Sequence, residues 1–209
     1  MSGWIGKVLR VDLTSGDYMV EDLEPDFARK YLGGQGFTSR GACHNRGYTI
    51  AIEIMGIPQK MDPLTIEGKA PLVTHLQDMT AGLIDAGGFC LFNVVGQSPP
   101  ALFAQLEAVT GVGYTFEEVV QTGERIWNLQ RLFNLKAGLT KDDDTIPKRF
   151  TEEPAPGGQN KGNVLPRQEF EAMVKAYYEM RCWDRETGYP TREKLTELGL
   201  EEYSHLLPS

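Results

Sequence analysis

A chain of 209 residues with 41% hydrophobic and 24% charged side chains has the make-up of an ordinary globular protein. It is long enough to bury about 70% of its unfolded surface. A formal charge of −8 and an isoelectric point near 5.0 argue against a nucleic-acid or anionic-membrane surface. No apolar run approaches the roughly 18 residues that span a bilayer, and no signal-peptide pattern opens the chain, so the cytoplasm is the expected compartment.

Residues 4 to 24 read as a β-hairpin. Leu9, Val11 and Leu13 alternate with Arg10 and Asp12, a period of two that puts the apolar side chains on one face of a strand. Thr14-Ser15-Gly16-Asp17 supplies the turn, and Tyr18-Met19-Val20 begins the return. Pro25 opens a short helix that runs to about Leu32 and stops at Gly33-Gly34-Gln35-Gly36. These glycines follow a helix rather than a strand, so the dinucleotide fingerprint does not apply.

A polar loop, Arg40-Gly41-Ala42-Cys43-His44-Asn45-Arg46-Gly47, comes next. His44 is either a surface histidine or a proton donor that titrates near neutral pH. Arg40 and Arg46 flank it with the forked geometry that suits an anionic ligand. Cys43, His44, His75 and Cys90 are also conceivable zinc ligands, although their spacing fits no common structural zinc pattern.

From here the chain is mostly helical. The apolar run from Leu72 to Ile84 delivers Asp85 and then breaks at Gly87-Gly88, with Phe89 and Cys90 beyond. Glycine ends a helix readily because it accepts positive φ, so Asp85 is expected on the last turn and Cys90 on the following loop. A carboxylate gains nothing at the negative end of the helix dipole. A thiol beside glycines can approach a metal, cluster or cofactor closely; the alternative is a helix cap followed by a buried cysteine.

Further helices are expected at about 99 to 109, from the capping box Thr115-Phe116-Glu117-Glu118 to about Leu135, at about 167 to 182, and after Thr191 as far as Gly199. Val119, Ile126 and Phe133, with Val120 and Trp127, are read as a core stripe along the longest of them. Thr151 to Pro166 is expected to be a long surface loop. The cysteines Cys43, Cys90 and Cys182 are widely spaced, lack a Cys-x-x-Cys, and are too few for a self-contained four-cysteine site.

Taken together, these segments resemble the tungsten-pterin aldehyde ferredoxin oxidoreductase family. One block is Gly3-Trp4-Ile5-Gly6-Lys7-Val8 continuing to Tyr31-Leu32-Gly33-Gly34-Gln35-Gly36. The other runs from about Ser39 through Arg40-Gly41-Ala42-Cys43-His44, Asp85-x-x-Gly88-Phe89-Cys90 and Asp143-Asp144-Thr145-Ile146-Pro147, and ends with Tyr177-Tyr178-x-x-Arg181-Cys182-Trp183-Asp184-x-x-Thr187-Gly188-x-Pro190-Thr191. The resemblance implies a mainly α fold: a helical C-terminal domain at 39–209, preceded at 1–38 by the β-hairpin and helix remnant of a pterin-binding domain.

It further implies that Asp85 hydrogen-bonds a pterin, that Cys90 is one of four cysteine ligands of a [4Fe–4S] cluster, and that His44 stands beside the metal. Gly88 and Phe89 complete the cofactor-binding motif. The family's cofactors are a tungsten (or molybdenum) bis-pterin and the cluster; its reaction is aldehyde to carboxylate, with electrons passed to ferredoxin. Missing from the pattern are the Cys-x-x-Cys-x-x-x-Cys group, the other pterin aspartate motif and the glutamate paired with the histidine. Phe89 replaces a usual leucine, Cys182 sits where glycine is common, and Lys136-Ala137-Gly138 replaces arginine-glutamate-glycine. The chain is therefore expected to be incomplete for catalysis, calling for a complementing subunit or a homo-oligomer. The other reading is a non-catalytic helical module that binds a pterin or a partner subunit.

Overall fold

The computed structural model describes residues 7–11, 15–24, 66–90, 97–157 and 161–208. The expected helix at Pro25–Leu32, the glycines at 33–36 and the loop carrying Arg40, Cys43, His44 and Arg46 lie outside these residues. Within them the protein is mainly α-helical with one two-stranded antiparallel sheet.

Strands β1 (Lys7–Val11) and β2 (Tyr18–Asp22) pair with Leu9 opposite Val20 and Val11 opposite Tyr18. Gly16, at φ 79°, turns the chain between them. That register gathers Leu9, Val11, Tyr18 and Val20 on one face, and all four are exposed, from 51% at Val11 to 74% at Tyr18. Ion pairs Lys7–Asp22 and Arg10–Glu21 tie the strands laterally.

The helices follow as α1 (Lys69–Met79), a π-helical segment (Thr80–Asp85), α2 (Pro99–Thr110), α3 (Phe116–Lys136), the short α4 (Arg149–Glu152), α5 (Arg167–Arg181) and α6 (Arg192–Glu197). The capping box at the start of α3 forms reciprocally: Glu118 N–H donates to Thr115 Oγ1 at 3.1 Å, and Thr115 N–H to Glu118 Oε2 at 3.0 Å. Gly111 ends α2 at φ 73°, and Thr191 Oγ1 caps α6 by accepting from Lys194 N–H at 3.2 Å.

The chain separates into two compact units, 1–44 with 77–127 and 45–76 with 128–209. In the first, Leu83, Leu102, Leu106, Val119 and Ile126 are buried. Each contributes about 1.5–3 kcal/mol of apolar burial. In the second, the core is Leu129, Leu132, Tyr178, Trp183, Leu195 and Leu200, with Arg131 and Arg181 buried among them.

One part of the expected α3 stripe fails. Val119 and Ile126 are fully buried, but Phe133 is 50% exposed. Phe133 belongs to the second unit, which takes Leu129, Leu132 and Leu135 of the helix into its core instead. Of the expected 151–166 loop, Thr151 and Glu152 belong to α4, and Ala155 N–H donates to Asn163 O at 2.8 Å.

The cysteine in the place of glycine has a clear position. Cys182 follows the last turn of α5 at φ 51°, the non-glycine residue with positive φ among those described. Its side chain is exposed, so the left-handed backbone carries a Cβ cost with no packing in return. Cys182→Gly is expected to raise stability by about 1 kcal/mol, read as a higher urea midpoint at unchanged slope.

Candidate functional site: the helix terminus at Asp85–Cys90

The apolar helix does not run straight into its stop. After Met79 the backbone widens into π geometry over Thr80–Asp85, and Ala86 N–H donates to Ala81 O five residues back. Helical geometry continues through Gly87, and Gly88 then turns left-handed at φ 72°. Phe89 N–H donates to Ile84 O at 2.9 Å and Gly88 N–H to Asp85 O at 3.3 Å. This pair of bonds is a Schellman terminus, which satisfies carbonyls that a helix end would leave orphaned.

Each residue of the motif has a distinct task in that geometry. Gly88 supplies the positive φ, and a Cβ there would meet nothing within 4 Å among the described residues, so the backbone is open to them on that side. Gly87 makes room for Phe89, whose ring folds back so closely that a Cβ on Gly87 would lie 2.9 Å from its Cδ2. Asp85, the last residue of the π segment, is half-buried, and Cys90 is exposed beyond the turn. The alternative of a buried thiol is thereby removed. His75, a conceivable zinc ligand, has Nδ1 2.8 Å from Pro71 O on its own helix. Among the described residues no cluster of three or more His, Cys, Asp or Glu could hold a metal ion.

Two glycines that sequence reasoning passed over hold this segment in place. A Cβ on Gly82 would lie 2.0 Å from Val119 O, and one on Gly123 would lie 1.9 Å from Asp78 O. The 78–82 turn and the 119–123 turn thus touch backbone to backbone. A glycine in a helix interior costs about 1 kcal/mol relative to alanine, and that is the signal that marked both positions.

The Tyr177–Thr191 motif builds something else: a buried polar frame in the second unit. Arg131 Nε donates to Gly188 O at 2.8 Å, its Nη1 to Asp144 Oδ1 at 3.0 Å and its Nη2 to Tyr178 Oη at 3.0 Å. The guanidinium also lies 4.8 Å from the Trp183 ring centroid. Tyr178 Oη donates to Asp144 Oδ2, and Trp183 Nε1 donates to Asn128 Oδ1 at 2.9 Å. A Cβ on Gly188 would lie 2.2 Å from Arg131 Nη2, so the motif's glycine is needed for this approach. Asp184 Oδ1 accepts from Thr187 N–H and Oγ1, both at 2.7 Å, and Thr187 holds that carboxyl below its usual range.

Similarity to known proteins follows the same segments. The family model described as "Aldehyde ferredoxin oxidoreductase, domains 2 & 3" matches residues 20–200. The chain belongs to this family. It is 46% identical over 182 residues to the tungsten-containing aldehyde ferredoxin oxidoreductase of Pyrococcus abyssi and 45% identical over 182 residues to that of Pyrococcus furiosus. Each alignment covers 86% of this chain and 29% of the relative, so the chain spans under a third of these relatives' length. Among solved structures, the active-site complex BamBC of benzoyl coenzyme A reductase superposes with a TM-score of 0.51 at 22% identity, over 72% of this chain and 23% of that one. That likeness is one of fold.

The buried frame makes an alkaline prediction. Burial, and then the hydrogen bond donated to Asp144, push the Tyr178 phenol well above its ordinary value. An unfolded tyrosine ionises near about pH 10. Above that pH the folded state keeps a proton that the unfolded state has released, so stability falls as pH rises. Urea melts from about pH 9 to pH 11.5 should show this fall, and Tyr178→Phe should flatten it.

Proposed function

We propose that this chain supplies one wall of an aldehyde-oxidising tungsten–pterin site. In this reading the Asp85 carboxylate accepts a hydrogen bond from a pterin, and Cys90 offers one thiolate to a [4Fe–4S] cluster. His44 is the proton donor beside the metal. Arg40 and Arg46 hold anionic groups of the cofactor, and Gly88 and Phe89 shape the turn between acid and thiol. Residues 1–38 are the remnant of a pterin-binding domain and 39–209 the helical C-terminal domain. The observation that carries the reading is the exposed Cys90 at an open glycine terminus, in a chain 46% identical to a tungsten enzyme of this family.

The pterin contact fits what the chain presents. A half-buried carboxylate at the rim of an open turn can accept from a ring N–H, and a charged acceptor strengthens such a bond. The four-iron cluster does not fit this chain alone. It needs four thiolates, and the chain has three cysteines. The remaining ligands must come from outside these 209 residues. When assembled, the tungsten–pterin centre supplies the two-electron chemistry and ferredoxin is the electron acceptor. The chain's own work is to orient a pterin through Asp85 and to manage a proton at His44. The shortage of cluster cysteines also favours a second reading, a non-catalytic module that binds a pterin or a partner subunit.

The test is reassembly with a polypeptide that carries the remainder of a Pyrococcus relative. Iron, tungsten and pterin per complex are measured alongside dye-linked aldehyde oxidation. Cys90→Ser is expected to lower bound iron and activity by at least about tenfold, and Asp85→Ala to weaken pterin retention by about tenfold. Full iron and pterin in both variants would overturn the assignment. Pterin retained without iron or activity would favour the non-catalytic module.

A further inference from the structure

The Gly82 and Gly123 contacts are reciprocal. Each glycine faces a carbonyl on the opposite helix: Gly82 meets Val119 O, and Gly123 meets Asp78 O. The residues are paired four apart on both sides, at 78 and 82 and at 119 and 123. One close contact between two rods fixes their separation but leaves them free to roll. Two contacts a full turn apart fix the roll as well.

The π segment lies over this crossing. It spans Thr80–Asp85, with Gly82 inside it and Asp85 as its final residue. An i→i+5 turn is wider than an α turn and shifts the angular phase of whatever follows. The direction of Asp85, and of the Gly88–Cys90 turn three residues on, is therefore set jointly by the widened turn and the clamp beneath it. Isolated π turns are uncommon and concentrate at functional sites, where they re-aim side chains.

We infer that Gly82 and Gly123 are positioning residues, which hold the Asp85–Cys90 terminus in the orientation its cofactor contacts require. The inference rests on the reading of Asp85 and Cys90 given above. An alanine methyl at either glycine would sit about 2 Å from a carbonyl oxygen, well inside van der Waals contact, and would force the backbones apart by more than about 1 Å. The clamp would open, and the terminus would lose its single direction while the rest of the core stayed packed.

The experiment reads the terminus without any cofactor. In the full chain with Cys43→Ser and Cys182→Gly, a nitroxide on Cys90 reports the mobility of the turn by its line shape. Gly82→Ala and Gly123→Ala are each expected to add a second, more mobile component well below the unfolding temperature. Ile126→Ala, one turn beyond the clamp, removes fully buried apolar volume; it should lower the melting temperature and keep the parent line shape. If the glycine variants keep the parent spectrum, or Ile126→Ala reproduces the change, the clamp has no positioning role. Should a glycine variant fail to fold, the parent still decides the matter: labels on Cys90 and Glu117→Cys must give one narrow distance distribution, and a broad one overturns the inference. A failed cofactor assignment leaves these spectra untouched, so the two ideas fall separately.

Discussion

Two carbonyl oxygens seated against bare α-carbons govern the candidate site. At Gly82 and Gly123 the backbones approach as no side chain would permit. Each glycine weakens its own helix by about 1 kcal/mol. Tertiary contact along Leu83, Val119 and Ile126, all essentially buried, offsets that loss. The arrangement gives a helix that is locally poor in propensity but fixed in direction. A segment presenting an acid and a thiol across a turn needs that fixity more than it needs helical propensity.

In the second unit a buried arginine does comparable work by different means. Arg131 is 7% exposed and spends its donors on Gly188 O, Asp144 and Tyr178 while its face lies over Trp183. Removing a charge from water costs several kcal/mol, and that cost is met only when every donor finds a partner. The frame connects α3, the turn at Asp144, the end of α5 and the turn before α6. Its net stabilisation is modest, but the geometry it demands is specific. Replacing one partner strands a buried charge, whereas a surface pair would be lost almost without effect.

The helices were legible because their start and stop signals are local. The capping box at Thr115, the stops at Gly88, Gly111 and Gly199, and the hairpin turn at Gly16 each fall where the sequence puts them. The π turn was not legible. Gly82 within it meets an oxygen of α3, and nothing in the 72–86 stretch shows what lies opposite. The same holds for Arg131: its partners are 13, 47 and 57 residues away in the chain. The Tyr177–Thr191 motif was noticed as a string, but its physical content is a cage for a cation that the string does not contain. Phe133 shows the converse error: the spacing extends from Val119 and Ile126, but past residue 127 the helix serves the second unit, which buries other positions of it. For the candidate site, sequence reasoning found Asp85, Gly88 and Cys90 because they sit beside a break, and missed the two glycines that hold the break still.

The exposed hairpin carries a colloidal consequence. Among the described residues no further strand pairs with either outer edge of the ribbon, and one face presents Leu9, Val11, Tyr18 and Val20 to solvent. Such a ribbon is a template on which a neighbouring chain can lay a further strand. What opposes this between like molecules is charge: at neutral pH each copy carries a formal −8, and long-range repulsion keeps the ribbons apart. Near the isoelectric point of about 5.0 that barrier vanishes, and salt shortens its reach to about 10 Å at 0.1 M. Mild acid is therefore expected to favour self-association through the smallest element of the structure.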